Sequence, residues 1–242
     1  MPAEDSGSSF PVEQALVTGA TRGIGKAVSR MLGRLGVRVG LVARTTGELD
    51  ALAREIDGWP IPCDVSDPAG VEEMVARFME LAAGPPDLVV SCAGVFSLAK
   101  VEEMSPEELE RSLAVNLKGS ILVARAVLPG LLKRGKGTVI QVGSVAGRRP
   151  LPGNAAYGAA KYGLRGFHEI LLEELRGSGV RATLLEPAAT DTPLWDPLDP
   201  DSNPDLPDRS GMLKPEEVAE AVAFVVTRPP WVQIPFLPIE RV

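Results

Sequence analysis

The chain of 242 residues reads as α/β: a doubly wound parallel sheet covered by helices on both faces, in three α/β/α layers. Three observations predict it. Short β-rich runs recur at residues 14–18, 37–43, 60–63, 88–92, 138–142 and 180–185, and most are apolar throughout rather than alternating, as strands buried on both faces are. Amphipathic helical patterns fall between these runs. The first run leads directly into Thr18-Gly19-Ala20-Thr21-Arg22-Gly23-Ile24-Gly25, a strand-turn-helix junction. Its glycines permit a tight turn and a close backbone approach, and the first turn of the next helix offers unpaired N–H groups to the pyrophosphate of a dinucleotide.

The later elements announce themselves by their caps. Asp67 before Pro68 is a helix N-cap with proline in the first position, and Val71, Met74, Val75, Phe78 and Leu81 follow on one face. Ser105-Pro106-Glu107-Glu108 repeats that signature ahead of a long helix striped by Leu109, Leu113, Leu117 and Ile121. Residues 190–214 break the rhythm: proline and aspartate dominate, Leu194 and Trp195 are the main large apolar groups, and a substrate-covering loop is expected there. A last helix begins near Pro215 and runs through Val218, Ala221, Val222 and Val225, before a β-like stretch from Trp231. No polar linker or repeat divides residues 10–242, so one domain is expected, preceded by a flexible, Gly-, Ser- and acid-rich tail at residues 1–9.

Composition narrows the function. A net charge of -7 without a basic stripe argues against a nucleic-acid partner. No run reads as the roughly 18 apolar residues of a membrane span, so a cytoplasmic protein with no membrane partner is expected. Two cysteines, Cys63 and Cys92, are too few for a disulfide scaffold and are expected as free thiols. With a single histidine, His168, they also argue against a metal site.

In a parallel sheet of this kind the loops beyond the strand carboxyl ends carry the chemistry. About 20 residues past the glycines, where an Asp or Glu usually accepts hydrogen bonds from the adenosine ribose, this chain has Arg44. A guanidinium cannot accept those bonds, but its planar fork suits a 2'-phosphate, and Arg22 adds a second charge; NADP(H) therefore fits better than NAD(H). Tyr157 and Lys161 are four apart in a helical segment and share a face, so the ammonium is expected to favour the phenolate and tune Tyr157 for acid-base work. Ser144 follows the fifth strand, where a hydroxyl can hold a carbonyl. Asn116 interrupts an apolar helix, either capping a local break and holding water or standing as a tolerated polar residue.

Together these residues resemble the short-chain dehydrogenase/reductase family, whose motifs span most of the chain in this order: Thr18-Gly-x-x-x-Gly23-x-Gly25, Asp64-Val65, Asn116, Ser144 and Tyr157-x-x-x-Lys161. The resemblance implies a Rossmann-type fold, hydride transfer between a nicotinamide and a carbonyl or alcohol, and a homodimer or homotetramer. It implies Tyr157 as general acid/base, Lys161 as its assistant and nicotinamide-ribose ligand, Ser144 as the carbonyl-polarising group, and Asn116 as support for a proton-relay water. It places Gly19, Thr21, Arg22, Gly23, Ile24, Gly25, Arg44, Asp64, Val65, Ala93, Gly94, Pro187 and Thr190 against the cofactor. Two departures stand out: Ser91-Cys92-Ala93-Gly94 replaces the family's Asn-Asn-Ala-Gly, and Ala188 follows Pro187 where glycine is common.

Other classes fit less well. A serine hydrolase lacks its Gly-x-Ser-x-Gly elbow, and no acid lies between Ser144 and His168. A catalytically idle dinucleotide sensor or scaffold on the same fold is opposed by the joint presence of Asn116, Ser144, Tyr157 and Lys161. The expected substrate is a small carbonyl or alcohol. Phe96, Leu151, Leu194 and Trp195 are candidates for an apolar pocket, while Arg148 and Arg149 either greet an anionic group or belong to a solvated loop.

Overall fold

The computed structural model describes residues 10–242, so the expected N-terminal tail lies outside the described residues. Strands β1 (Gln14–Thr18), β2 (Arg38–Ala43), β3 (Trp59–Pro62), β4 (Leu88–Ser91), β5 (Gly137–Val142), β6 (Val180–Pro187) and β7 (Phe236–Ile239) form one sheet. Their order is β3-β2-β1-β4-β5-β6-β7 and every pair is parallel. The winding reverses between β1 and β4, which opens a crevice above their carboxyl ends.

Helices α1 (Gly23–Arg34), α2 (Thr46–Ile56) and α7 (Pro215–Val226) cover one face, and α3 (Pro68–Ala82), α5 (Ser120–Arg134) and α6 (Ala155–Glu174) the other. Val28, Leu32, Leu49 and Val222 fill the first interface; Val71, Phe78, Val127 and Leu171 fill the second. Each such side chain, fully buried, contributes roughly 1.5–3 kcal/mol against leaving it in water. The anticipated caps are present. The Asp67 carboxylate accepts from the N–H groups of Ala69 and Gly70, and Ser105 forms a capping box with Glu108 at the start of α4 (Pro106–Ser112). A cap of this kind is worth about 1 kcal/mol.

The stretch after Ser105 departs from expectation twice. It is not one regular helix: α4 passes into a π-helical segment, Leu113–Gly119, before α5 resumes the ordinary winding. The wider turn rotates the anticipated Leu109, Leu113, Leu117, Ile121 stripe to a half-buried position and turns Ser112, Asn116, Gly119 and Ser120 inward instead. The whole stretch, Pro106–Arg134, is 29 residues long and by length and composition could cross a membrane, which corrects the expectation that no run approaches that size. Here Val123, Val127 and Leu131 pack on the sheet.

Candidate active site

The glycine loop is shaped by backbone contacts that exclude side chains. Gly19 has φ 66°, and a Cβ on it would lie 2.8 Å from the Ala93 backbone; one on Gly25 would lie 2.2 Å from the Gly19 carbonyl oxygen. The loop thereby rests against the residues after β4, where the Ala93 N–H donates to Thr18 Oγ1 at 3.2 Å. Arg22 stands at the N-cap of α1 without bonding its amides, and no acidic residue occupies the first turn. The helix therefore presents open N–H donors and its positive dipole end to the crevice.

Beside this loop, Arg44 follows β2 and Asp64 follows β3. Arg44 is 60% exposed, and its Nη1 lies 3.9 Å from Asp64 Oδ2. The other Asp64 oxygen accepts from the Ser66 N–H at 2.9 Å and the Ser66 hydroxyl at 2.7 Å, which hold its carboxyl below the usual carboxylate range. Asp64 thus shapes a turn, and the capping of α3 belongs to Asp67 alone.

Asn116 is fully buried, and its amide pairs with the main chain of Val95 as a neighbouring strand would. Nδ2 donates to the Val95 carbonyl at 2.9 Å and to Ser112 Oγ at 3.0 Å, while Oδ1 accepts from the Val95 N–H at 3.0 Å. The π-helical segment aims this amide at the loop after β4. Asn116 is therefore no tolerated bystander: it fixes the backbone that carries Ala93 and Gly94, with both amide protons engaged internally.

Ser144 begins a short turn after β5, where its Oγ accepts from the Ala146 N–H at 3.1 Å. Tyr157 and Lys161 lie on consecutive turns of α6, with Lys161 Nζ 5.5 Å from the centre of the phenol ring and donating to the Val142 carbonyl at 2.8 Å. Burial pushes the Tyr157 phenol up to about 12, and the opposing pull comes from the Ser144 hydroxyl. Burial also lowers the Lys161 ammonium to about 8. In this structure burial raises the Tyr157 phenol, opposite to the lowering expected from Lys161, whose ammonium lies 5.5 Å from the ring centre. Cys92, next to Lys161, is pushed up to about 12 by burial, and Cys63 to about 11; both are free thiols.

One cavity of about 1020 Å³ joins these groups. Its walls include every residue anticipated from the sequence: Gly19, Thr21, Arg22, Gly23, Ile24, Gly25, Arg44, Asp64, Val65, Ala93, Gly94, Asn116, Ser144, Tyr157, Lys161, Pro187 and Thr190. Phe96, Leu151, Leu194 and Trp195 line it as well. Sequence reasoning missed Thr192, whose methyl group would lie 3.0 Å from a Cβ on Gly23 and so seats the start of the loop after β6 on the glycine loop. It also missed Leu98 and Lys100, while Asp205 and Leu206 come from the loop expected at residues 190–214. No local motif marks these, since they arrive from loops without regular spacing.

Arg148 and Arg149 do not line the cavity. Both bond Glu240, Arg149 Nη2 at 3.0 Å, and Arg148 Nε also lies 3.7 Å from Glu186. Glu186 is 1% exposed on β6 and takes Arg165 Nη1 of α6 at 2.6 Å. This buried carboxylate links the turn after Ser144 to the helix of Tyr157 and Lys161. His168 stands apart as a structural group: its ring nitrogens meet Gln141 Oε1 at 3.0 Å and the Pro235 carbonyl at 2.9 Å, and burial lowers it to about 4. Among the described residues, no group of His, Cys, Asp and Glu is arranged to hold a metal ion.

Comparison with known proteins extends this geometry. The profile of the short chain dehydrogenase family matches residues 13–203. D-threitol dehydrogenase of Mycolicibacterium smegmatis is 33% identical over 222 residues, covering 88% of this chain and 85% of that protein. The closed form of a serine dehydrogenase complexed with NADP+ superposes with a TM-score of 0.84 at 32% identity, over 93% of this chain and 94% of the other. An alcohol dehydrogenase of the archaeon Thermococcus sibiricus, complexed with 5-hydroxy-NADP, gives 0.83 at 32% identity, over 94% and 95%. With the sheet order, the glycine loop and the matched span in agreement, the chain belongs to the short-chain dehydrogenase family of oxidoreductases.

Proposed function

We propose that the protein is an NADP(H)-dependent oxidoreductase that interconverts a carbonyl and an alcohol, with NADPH-dependent carbonyl reduction as its forward reaction. The observation that carries the reading is the convergence on one cavity of Ser144, Tyr157 and Lys161 with the cationic pair Arg22 and Arg44. The residues present fit the cofactor: open amides at the start of α1 suit a pyrophosphate, and two guanidiniums without a ribose-binding carboxylate at the end of β2 suit a 2'-phosphate. The two superposed relatives, crystallised with NADP+ and 5-hydroxy-NADP, support the same choice. Bound NADPH supplies the hydride.

The side chains do the rest. A phenol held near 12 is fully protonated at neutral pH, so Tyr157 is poised to protonate a carbonyl oxygen as charge develops there. Ser144 offers its hydroxyl to the same oxygen. Lys161, at about 8, is mostly cationic at pH 7, steadies the phenolate left behind and is placed to bind a ribose hydroxyl. Asn116 and Glu186 keep the strand ends and α6 in register so that these groups meet. Self-association as a homodimer or homotetramer belongs to the same reading.

The test is NADPH consumption across aldehydes, ketones, quinones and keto acids. Tyr157→Phe is expected to lower kcat at least about 100-fold while NADPH still binds. Binding of NADPH without turnover of any carbonyl, with Tyr157→Phe indistinguishable from the parent, would establish the idle sensor instead.

A further inference from the structure

We infer that the substrate is a neutral carbonyl compound, or its alcohol, with an aromatic or bulky apolar group beside the reacting carbon. The inference rests on the carbonyl-reductase reading and names the substrate class of that site. Three aromatic rings run outward from the proton donor in edge-to-face contact. The Phe96 ring centre lies 4.9 Å from that of Tyr157 at 75°, and 5.0 Å from that of Trp195 at 63°. Phe96 comes from the loop after β4 and Trp195 from the loop after β6, so the wall is assembled across the cavity mouth. Leu98, Leu151, Leu194 and Leu206 line the same cavity.

The charges point the same way. Arg148 and Arg149, the cations nearest Ser144 in sequence, are held by Glu240, with Arg148 also near Glu186, and both lie outside the cavity wall. Lys161 donates to the Val142 carbonyl beneath the phenol. The charged side chains of the outer wall, Lys100 and Asp205, are exposed and of opposite sign. A carboxylate or polyol drawn in beside Phe96 and Trp195 would therefore shed water against ring faces, whereas an aryl group gains ring contacts and buries apolar area.

The experiment compares acetophenone with pyruvate and hydroxyacetone on the intact protein. Steady-state reduction with NADPH gives kcat/KM for each, and calorimetry gives binding to the NADP+ complex, in which ketones cannot be reduced. Acetophenone is expected to lead in kcat/KM by at least about tenfold and to bind the NADP+ complex more tightly than the other two. Trp195→Ala is expected to lower the acetophenone value about tenfold, through KM, while shifting hydroxyacetone less than about twofold. A lead for pyruvate or hydroxyacetone in both measurements, or an equal effect of Trp195→Ala on aryl and small ketones, would overturn the inference and leave carbonyl reduction standing. Tight NADPH binding with no carbonyl or alcohol turned over in either direction would overturn both.

Discussion

The glycine loop and residues 190–214 face one another across the same cavity, yet they are held in different ways. The glycine loop is set by main-chain contacts so close that a single methyl group on Gly19 or Gly25 would collide with backbone. The opposite loop is gathered around one side chain. Arg209 reaches Asp191 at 2.5 Å, Asp196 at 2.6 Å and Asp201 at 3.8 Å, while a single backbone bridge joins Thr190 to Leu213. One wall is set by close main-chain packing that leaves no room for a side chain. The other is tied mainly through ion pairs of Arg209 with carboxylates 44–63% exposed, which water and salt screen in part. On the proposed reading, the cofactor lies against the first wall and the substrate against the second, an arrangement suited to varied substrates.

The contrast can be tested at the rigid end first, where the largest effect is expected. Arg44→Asp replaces the cation proposed to meet the 2'-phosphate with an acceptor for ribose hydroxyls. The ratio of kcat/KM with NADPH to that with NADH is expected to fall about 100-fold. An unchanged ratio would remove Arg44 from cofactor choice.

Between the two walls, on α6, the pH profile reports Lys161. With Tyr157 protonated to about 12 and Lys161 titrating at about 8, reductive kcat/KM is expected to be level below pH 8 and to fall about tenfold per unit well above it. The sign follows from the cation being the working form. A profile still level at pH 10 would show that its charge does not assist the step.

The smallest effect belongs to the adjustable wall. Arg209→Ala is expected to raise substrate KM about threefold, with NADPH affinity unchanged and proteolysis of the loop faster. A fall in NADPH affinity as large as the change in KM would show that the two walls are not mechanically separate.

The way each part is held also explains what could be read in advance. The strands and the caps at Asp67 and Ser105 were legible because hydrophobic periodicity and capping act over a few residues. The residues expected at the site could be named because the glycine loop, Arg44, Asp64 and Ser144 follow strand ends and Tyr157 and Lys161 stand one helical turn apart. The π-helical segment was not: it exists to bring Asn116 to Val95, 21 residues away, and local spacing shows only an apolar helix with one amide in it. The partners of Arg148 and Arg149 were hidden for the same reason, since Glu240 lies 91 to 92 residues further along the chain.

The amino-acid sequence alone determined the parallel α/β architecture, the dinucleotide loop with its two arginines, and the Ser144, Tyr157, Lys161 set, all of which depend on side-chain pattern and short-range geometry. Tertiary structure decided the state and surroundings of those groups. It fixed the burial that raises the Tyr157 phenol, the placement of Asn116, the capture of Arg148 and Arg149 by carboxylates, and the joining of Phe96 and Trp195 into one aromatic wall. Desolvation, ion pairing and ring contact depend on which distant segments meet, and that is known only once the chain has folded.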